Sequence, residues 1–193
     1  MKQFTIIILG ALFFVFACNE KKQQEDTEQQ TTDEVSTEYK GKLFIIGGGK
    51  RPPELVKRLI TESGVDKGGY IVILPMSSSA PDTSAFYARK QFVEQGIEDI
   101  VSFNFIKDEE PSQLWLDSLK KAQMIYITGG NQNRFMEIVQ NTPIHDAIKE
   151  AFKNGATIAG TSAGAAVMSK KMITGNEYKH AEYTGEFRTI EAE

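Results

Sequence analysis

Ala156-Thr157-Ile158-Ala159-Gly160-Thr161-Ser162-Ala163-Gly164-Ala165-Ala166 is the stretch whose reading decides the fold. A short apolar strand runs into Gly-Thr-Ser-Ala-Gly and then into a helix of small residues. Gly160 and Gly164 flank Ser162 in the G-x-S-x-G pattern of a nucleophile elbow. Such a turn needs small neighbours, because only they let the backbone fold back sharply from strand to helix. It lifts the serine hydroxyl outward and sets the N–H of Ala163, at the helix N-terminus, where it can hold an oxyanion. The same pattern also occurs as a plain glycine-rich turn with the serine as an N-cap. The surrounding chain has to decide between the two.

Four further apolar runs precede it, at Lys42–Ile46, Tyr70–Leu74, Ile100–Phe105 and Met124–Thr128. Three of them end in small or polar clusters: Gly47-Gly48-Gly49, Pro75-Met76-Ser77-Ser78-Ser79 and Gly129-Gly130-Asn131-Gln132. Helical stripes separate them. Leu55, Val56, Leu59 and Ile60 follow Pro52 and Pro53; Phe86, Arg89, Lys90 and Phe92 lie on the next helix, which ends near Gly96. Ser112–Lys121 reads as a helix burying Leu114, Trp115 and Leu119, and two more helices are expected around Phe135–Val139 and Ile144–Phe152. Strands alternating with helices predict an α/β domain, a mostly parallel sheet with helices on both faces. Function in such sheets collects at the carboxyl ends of the strands. That rule gathers Gly47–Gly49, Ser77–Ser79, Gly129–Gln132 and Ser162 on one edge. Gly47 does not open a dinucleotide fingerprint, since Pro52 stands where the third glycine belongs.

Length and composition set the outer limits. The 193 residues allow one medium domain with short appendages, and a hydrophobic fraction of 40% with 25% charged residues is that of a soluble globular protein. One cysteine excludes an internal disulfide framework, and two histidines, His145 and His180, argue against a His-based metal cluster. The net charge of −4 is concentrated in residues 19–38, which hold seven acids and two bases, while residues 39–193 balance acids against bases. No basic face is implied, so nucleic acid is not an expected partner.

The N-terminus reads as an address. Residues 1–17 carry one lysine and an apolar run from Phe4 to Phe16, broken only by Thr5 and Gly10. The run is short for a bilayer span and has the shape of a secretory signal. Val15-Phe16-Ala17-Cys18 resembles the lipobox of bacterial lipoproteins. That resemblance implies cleavage before Cys18, lipidation of its thiol, and an exported protein anchored to a membrane at the periplasm or cell surface. Residues 19–38 contain a single apolar residue, Val35, and cannot bury enough surface to offset ordering entropy, so they read as a disordered acidic tether. The expected division is therefore 1–17 signal peptide, 18–38 lipidated cysteine and tether, and 39–193 folded domain.

Three elements, in this order, resemble the cyanophycinase group of serine peptidases, relatives of the aspartyl dipeptidases. They are Ile45-Ile46-Gly47-Gly48-Gly49, Ile127-Thr128-Gly129-Gly130-Asn131-Gln132 and Gly160-Thr161-Ser162-Ala163-Gly164-Ala165; Leu74–Ser79 also looks like that group's second-strand loop. The likeness spans roughly Lys42 to Glu177. It implies a flavodoxin-like fold of the class I glutamine amidotransferase kind, with serine replacing cysteine as nucleophile. It also implies hydrolysis of cyanophycin or related β-aspartyl peptides to aspartyl-arginine dipeptides, with no cofactor or metal. By position, Ser162 is then the nucleophile, the N–H groups of Gly130 and Ala163 form the oxyanion hole, and Gln132 lines the substrate pocket. Glu177 is the nearest acid to orient the base, with Glu182 and Glu186 as alternatives. A homodimer of the full-length protein is a further expectation. On the residues alone, Asn131 also reads as an N-cap, Gln132 as a solvated first-turn residue and Glu177 as a surface carboxylate in a Gly-Asn turn.

One departure matters. The group's catalytic histidine lies past a further strand in an Asp-Gln-His-Phe-like motif, and no such motif follows Ser162. His180 stands too early, in the polar run Asn176–His180, and His145 precedes the nucleophile at a helix start, where a surface position is expected. Arg188–Glu193 reads as neither helix, strand nor turn. The expectation is a C-terminally truncated piece of a longer protein, its sheet incomplete there and its peptidase activity small or nil. Rival functions are an aspartyl dipeptidase with another substrate, an esterase of the α/β-hydrolase type, and a non-catalytic lipid-anchored binding protein. The esterase would require an early His-Gly-Gly-like loop, which the sequence does not contain.

Overall fold

Five apolar runs form one parallel sheet in the computed structural model, which describes residues 39–177 and 190–192. Cys18, the leader, the acidic segment, His180, Glu182 and Glu186 lie outside the described residues. The strands are β1 (Lys42–Ile46), β2 (Ile71–Leu74), β3 (Ile100–Ser102), β4 (Met124–Ile127) and β5 (Thr157–Thr161), in the order β1-β5-β4-β2-β3. Strands β2 to β5 keep the succession of a flavodoxin-like sheet, and β1 takes the place of its fifth strand. β2, β4 and β5 are buried along their whole length, which is why they read as unbroken apolar runs.

Strand periodicity sends alternate residues to opposite layers. Ile71, Ile73, Met124, Tyr126 and Ala159 pack under α1 (Pro53–Ser63) and α2 (Pro81–Val93) through Val56, Leu59, Ile60, Ala88 and Phe92. Val72, Leu74, Ile125, Ile127 and Ile158 pack under α3 (Gln113–Lys120), α4 (Gln132–Val139) and α5 (Pro143–Lys153). Proline stands in the first turn of α1, α2 and α5, where its missing N–H costs nothing and its φ is already helical. α1 ends at Gly64, whose φ of 72° is the left-handed cap that glycine adopts without a Cβ penalty.

The structure corrects three local expectations. β3 stops at Ser102, because after the bond from Phe103 N–H to Ile73 O (3.0 Å) the chain leaves the sheet to seat Phe103 and Phe105 against Trp115. On α3 the buried stripe is Leu116 and Leu119, while Leu114 is 73% exposed. Leu114 lies two residues from Leu116, more than half a turn round the helix. The segments read as a Gly-Asn turn and as structureless are strands: β6 (Ile173–Glu177) and β7 (Ile190–Ala192) pair antiparallel, with Ile173 opposite Ala192 and Glu177 opposite Ile190. Their register is irregular, so no clean alternation marks them in the sequence.

Candidate active site

All four clusters named from the sequence follow the carboxyl ends of β1, β2, β4 and β5, and backbone contacts tie them together. The first is the elbow. Ser162 has φ 52° and ψ −114°, a conformation that L-residues rarely adopt and that stores of order 1–3 kcal/mol. What holds it there is backbone. Its N–H donates to the carbonyls of Ile46 (3.0 Å) and Gly47 (3.2 Å), and its own carbonyl accepts from Ala165 (2.9 Å) and Ala166 (3.0 Å). The short helix α6 (Ala163–Ala166) thus starts at once and folds back over β5.

The two flanking glycines explain the pattern. A Cβ on Gly160 would fall on the Gly164 carbonyl, and one on Gly164 would fall on the Ile127 carbonyl, with Thr128 O 2.9 Å away. Helix, elbow strand and β4 therefore meet backbone to backbone. Thr161 and Ala163 are buried, yet Ser162 between them is exposed. Ser162 occupies the N-cap position but its side chain makes no capping hydrogen bond. Its hydroxyl is uncommitted among the described residues.

The second cluster faces the first. Gly129 stands beside the elbow, with its Cβ position 3.3 Å from Thr161 O and 3.4 Å from Ser162 Cβ. Gly130 has φ 143°, and a Cβ there would strike the Ser77 carbonyl, the same oxygen that accepts from Asn131 N–H at 2.8 Å. This packing joins the loops after β2 and β4 at the point where the strand succession reverses, the crevice in which open α/β sheets bind ligands. Among the described residues the N–H groups of Gly130 and Ala163 have no acceptor. Both are available donors on the serine's edge.

Asn131 does what a cap residue should: its Oδ1 accepts from Asn133 N–H (2.8 Å) and Arg134 N–H (3.2 Å) at the start of α4. Gln132 is not simply solvated. Its Nε2 donates to Ile173 O at 2.8 Å, and Asn133 Nδ2 donates to Thr174 O at 3.3 Å, so the start of α4 fastens β6 to the site. Glu177 is the last residue of β6. His145, expected at the surface, is half-buried on α5 and lines an apolar cavity of about 210 Å³ with Phe135, Val139, Ile158 and Met168. Burial lowers its pKa, the Lys149 charge lowers it further, and Asp146 opposes both.

Sequence reasoning missed a polar group on the α1/α2 side of this edge. Arg51, half-buried after the Gly47–Gly49 loop, donates from Nε to Gln91 Oε1 of α2 at 2.7 Å. Tyr126 of β4 lies by them, 1% exposed, its pKa raised by burial and only partly brought back by Gln91 and Arg51. Ser77 and Thr128, at the loops after β2 and β4, are also buried, and among the described residues their hydroxyls have no hydrogen-bond partner. Tyr126 and Thr128 alternate with Ile125 and Ile127, a strand-period signal; nothing local to Arg51 points to its partners.

Comparison with known proteins agrees with this architecture. A family model described as Peptidase family S51 matches residues 43–191. The chain is 31% identical over 159 residues to a cyanophycinase from Trichormus variabilis, covering 79% of this chain and 51% of that protein. It is 30% identical over 140 residues to a cyanophycinase from Geminocystis herdmanii, covering 69% and 50%. The chain thus spans about half the length of these curated relatives. Among solved structures, a peptidase from an acI-B1 Actinobacterium superposes with a TM-score of 0.60 at 28% identity, over 70% of this chain and 59% of that one.

Proposed function

The chain belongs to peptidase family S51, and on that premise we propose that its site is built for serine-type hydrolysis of cyanophycin or related β-aspartyl peptides. The observation that carries the reading is Ser162: exposed, held at φ 52° by backbone alone, its hydroxyl unspent, and set against the Gly129–Gly130 loop. In the proposed reaction Ser162 Oγ bonds to the substrate carbonyl carbon. The oxyanion that forms is held by the N–H groups of Gly130 and Ala163. The amide C–N bond then breaks, the proton lost by Ser162 goes through a base to the leaving amine, and water releases the acyl group. Gln132, fixed on β6, borders the substrate pocket, and Glu177 is the proposed carboxylate that orients the base.

Neither histidine of the chain is proposed as the base: His180 stands too soon after Ser162 for the group's Asp-Gln-His-Phe-like motif. His145 does not suit the role, since it faces the cavity beneath α4 and α5. The 193-residue chain is accordingly proposed to release little or no dipeptide by itself. Imidazole in solution can stand in for a missing base, which gives the test. Incubation of the chain with a fluorophosphonate and rising imidazole is expected to give an imidazole-dependent adduct on Ser162 by intact-mass and peptide mass spectrometry, absent in Ser162→Ala. No adduct on Ser162 at any imidazole concentration would overturn the proposal. We also propose that Cys18 is lipidated and that residues 19–38 tether the domain to a membrane. Metabolic labelling with a radioactive fatty acid, lost in Cys18→Ser, is the expected result, and equal labelling of both refutes it.

A further inference from the structure

The two edges of the sheet are finished differently. At the β3 edge the outward groups of Ile100 are both spent: its carbonyl accepts from Arg89 Nη1, and its N–H donates to Glu98 O at 2.8 Å. A charged side chain laid on an edge is one of the devices that keep a strand from pairing with a neighbour. The β1 edge lacks it. Lys42 N–H donates to Ala156 O and Ile46 O accepts from Ser162 N–H, so these residues, with Phe44 between them, turn their backbone groups to β5. Leu43 and Ile45 turn theirs away, and among the described residues those N–H and C=O groups have no partner. No proline or bulge interrupts Lys42–Ile46. Its one charge is drawn off the edge, with Lys42 Nζ donating to Glu62 O of α1 at 2.8 Å.

The side chains on this bare edge are apolar. Ile45 is 66% exposed and Leu43 48%. Leu43 and Phe152 line the cavity of about 210 Å³, and Phe152 carries the exposed ring of Tyr39 at 5.4 Å. Tyr39, Leu43 and Ile45 thus form one patch along the edge, and contiguous apolar surface of this kind marks an interaction site. We infer that β1 pairs antiparallel with β1 of a second copy of this chain, about a two-fold axis at Phe44. The register argues for a copy as the occupant. Such an axis sets Leu43 opposite Ile45 of the second copy, and Ile45 opposite Leu43 of the second copy, both as hydrogen-bonded pairs. Every outward N–H and C=O of the two residues then finds its complement in the same two residues, as a self-complementary two-fold contact requires. Leucine and isoleucine meet across the axis on the cavity side, and Lys42 faces Ile46 of the second copy instead of another lysine. The two five-stranded sheets become continuous, and neither keeps an unguarded edge.

This pairing is independent of the hydrolase reading, and its test does not use activity. Sedimentation of the full chain in a nonionic detergent should give a particle of twice the chain mass. Ile45→Lys, at an exposed position that leaves the core untouched, should keep the melting temperature and weaken association by about tenfold or more. The register is read by oxidising single-cysteine variants in a Cys18→Ser background. Phe44→Cys should form a disulfide-linked dimer, because the axis leaves its two copies about 4.5 Å apart at Cα, within the roughly 4.4–6.8 Å that a disulfide spans. Ile45→Cys should not, because its two copies lie diagonally, about 7–8 Å apart. A chain that sediments as a monomer overturns the inference and gives the edge to a strand of its own polypeptide. An open series of oligomers, the product of a head-to-tail contact, overturns it as well. So do association unchanged by Ile45→Lys and cross-linking at Ile45→Cys equal to that at Phe44→Cys.

Discussion

Replacing Ser162 by glycine should make the protein more stable while removing its nucleophile. The side chain of Ser162 is exposed and makes no hydrogen bond, so deleting it forfeits no packing and no partner. The bonds that hold the elbow, from Ser162 N–H to Ile46 and Gly47 and from Ala165 and Ala166 to its carbonyl, are all backbone and survive the change. What disappears is the cost of holding a Cβ at φ 52° and ψ −114°, about 1–3 kcal/mol. Against it stands the greater freedom of glycine in the unfolded chain, about 0.5–1 kcal/mol. The net gain is on the order of 1 kcal/mol, a rise of about 2–4 °C in melting temperature for a chain of this size. Ser162→Ala is the control, since it removes the same hydroxyl and keeps the strained Cβ. Urea unfolding of both variants, followed by circular dichroism, gives the difference directly. If Ser162→Gly is no more stable than Ser162→Ala, the elbow is not strained and this reasoning is wrong.

Gly164→Ala should cost about 3 kcal/mol, the upper end for overpacking, because its Cβ meets the backbone of Ile127 and Thr128, which has no rotamer to yield with; a urea-measured loss below about 1 kcal/mol refutes the close approach. Asn131→Ala removes the cap of α4 and should lower stability by about 1 kcal/mol, with faster hydrogen exchange at the Asn133 and Arg134 amides as its local sign. His145 predicts a pH dependence. Its folded pKa lies below its unfolded one, so the unfolded state takes the proton first and stability falls as pH drops through about 6.5. His145→Gln lacks that penalty, and its melting temperature relative to wild type should rise between pH 8 and pH 5; a constant difference would refute the assignment.

The parallel sheet was readable because β2, β4 and β5 are buried on both faces and carry no alternation to confuse them with surface structure. Turn chemistry did the rest: Gly-Gly-Asn-Gln and Gly-Thr-Ser-Ala-Gly mark the strand ends without knowledge of what they face. The features that escaped the sequence are those set by distant partners. Leu114 and Leu116 are the same residue type on one helix, and only the position of the sheet decides that the second is buried. β6 and β7 need each other to be strands at all. His145 takes its half-buried setting from a cavity lined by residues of β1, β4, β5, α4 and α5, and Arg51 meets Gln91 across 40 residues of chain. The elbow was legible as a pattern, but its strain and its unspent hydroxyl were not, since both depend on dihedral angles and on bonds not made.

The meeting of Gly160, Gly164 and the Ile127 carbonyl has a consequence for how this site can change. Because main-chain atoms alone aim position 162, the aim is indifferent to which side chain stands there. A thiol or a second hydroxyl bearer can be mounted at that point without re-engineering its support, so the kind of nucleophile is free to vary. The cost falls on the mount, where either glycine, once lost, has no neighbouring side chain whose adjustment could restore it. Chemistry at this edge is exchangeable, and the bracket that carries it is not.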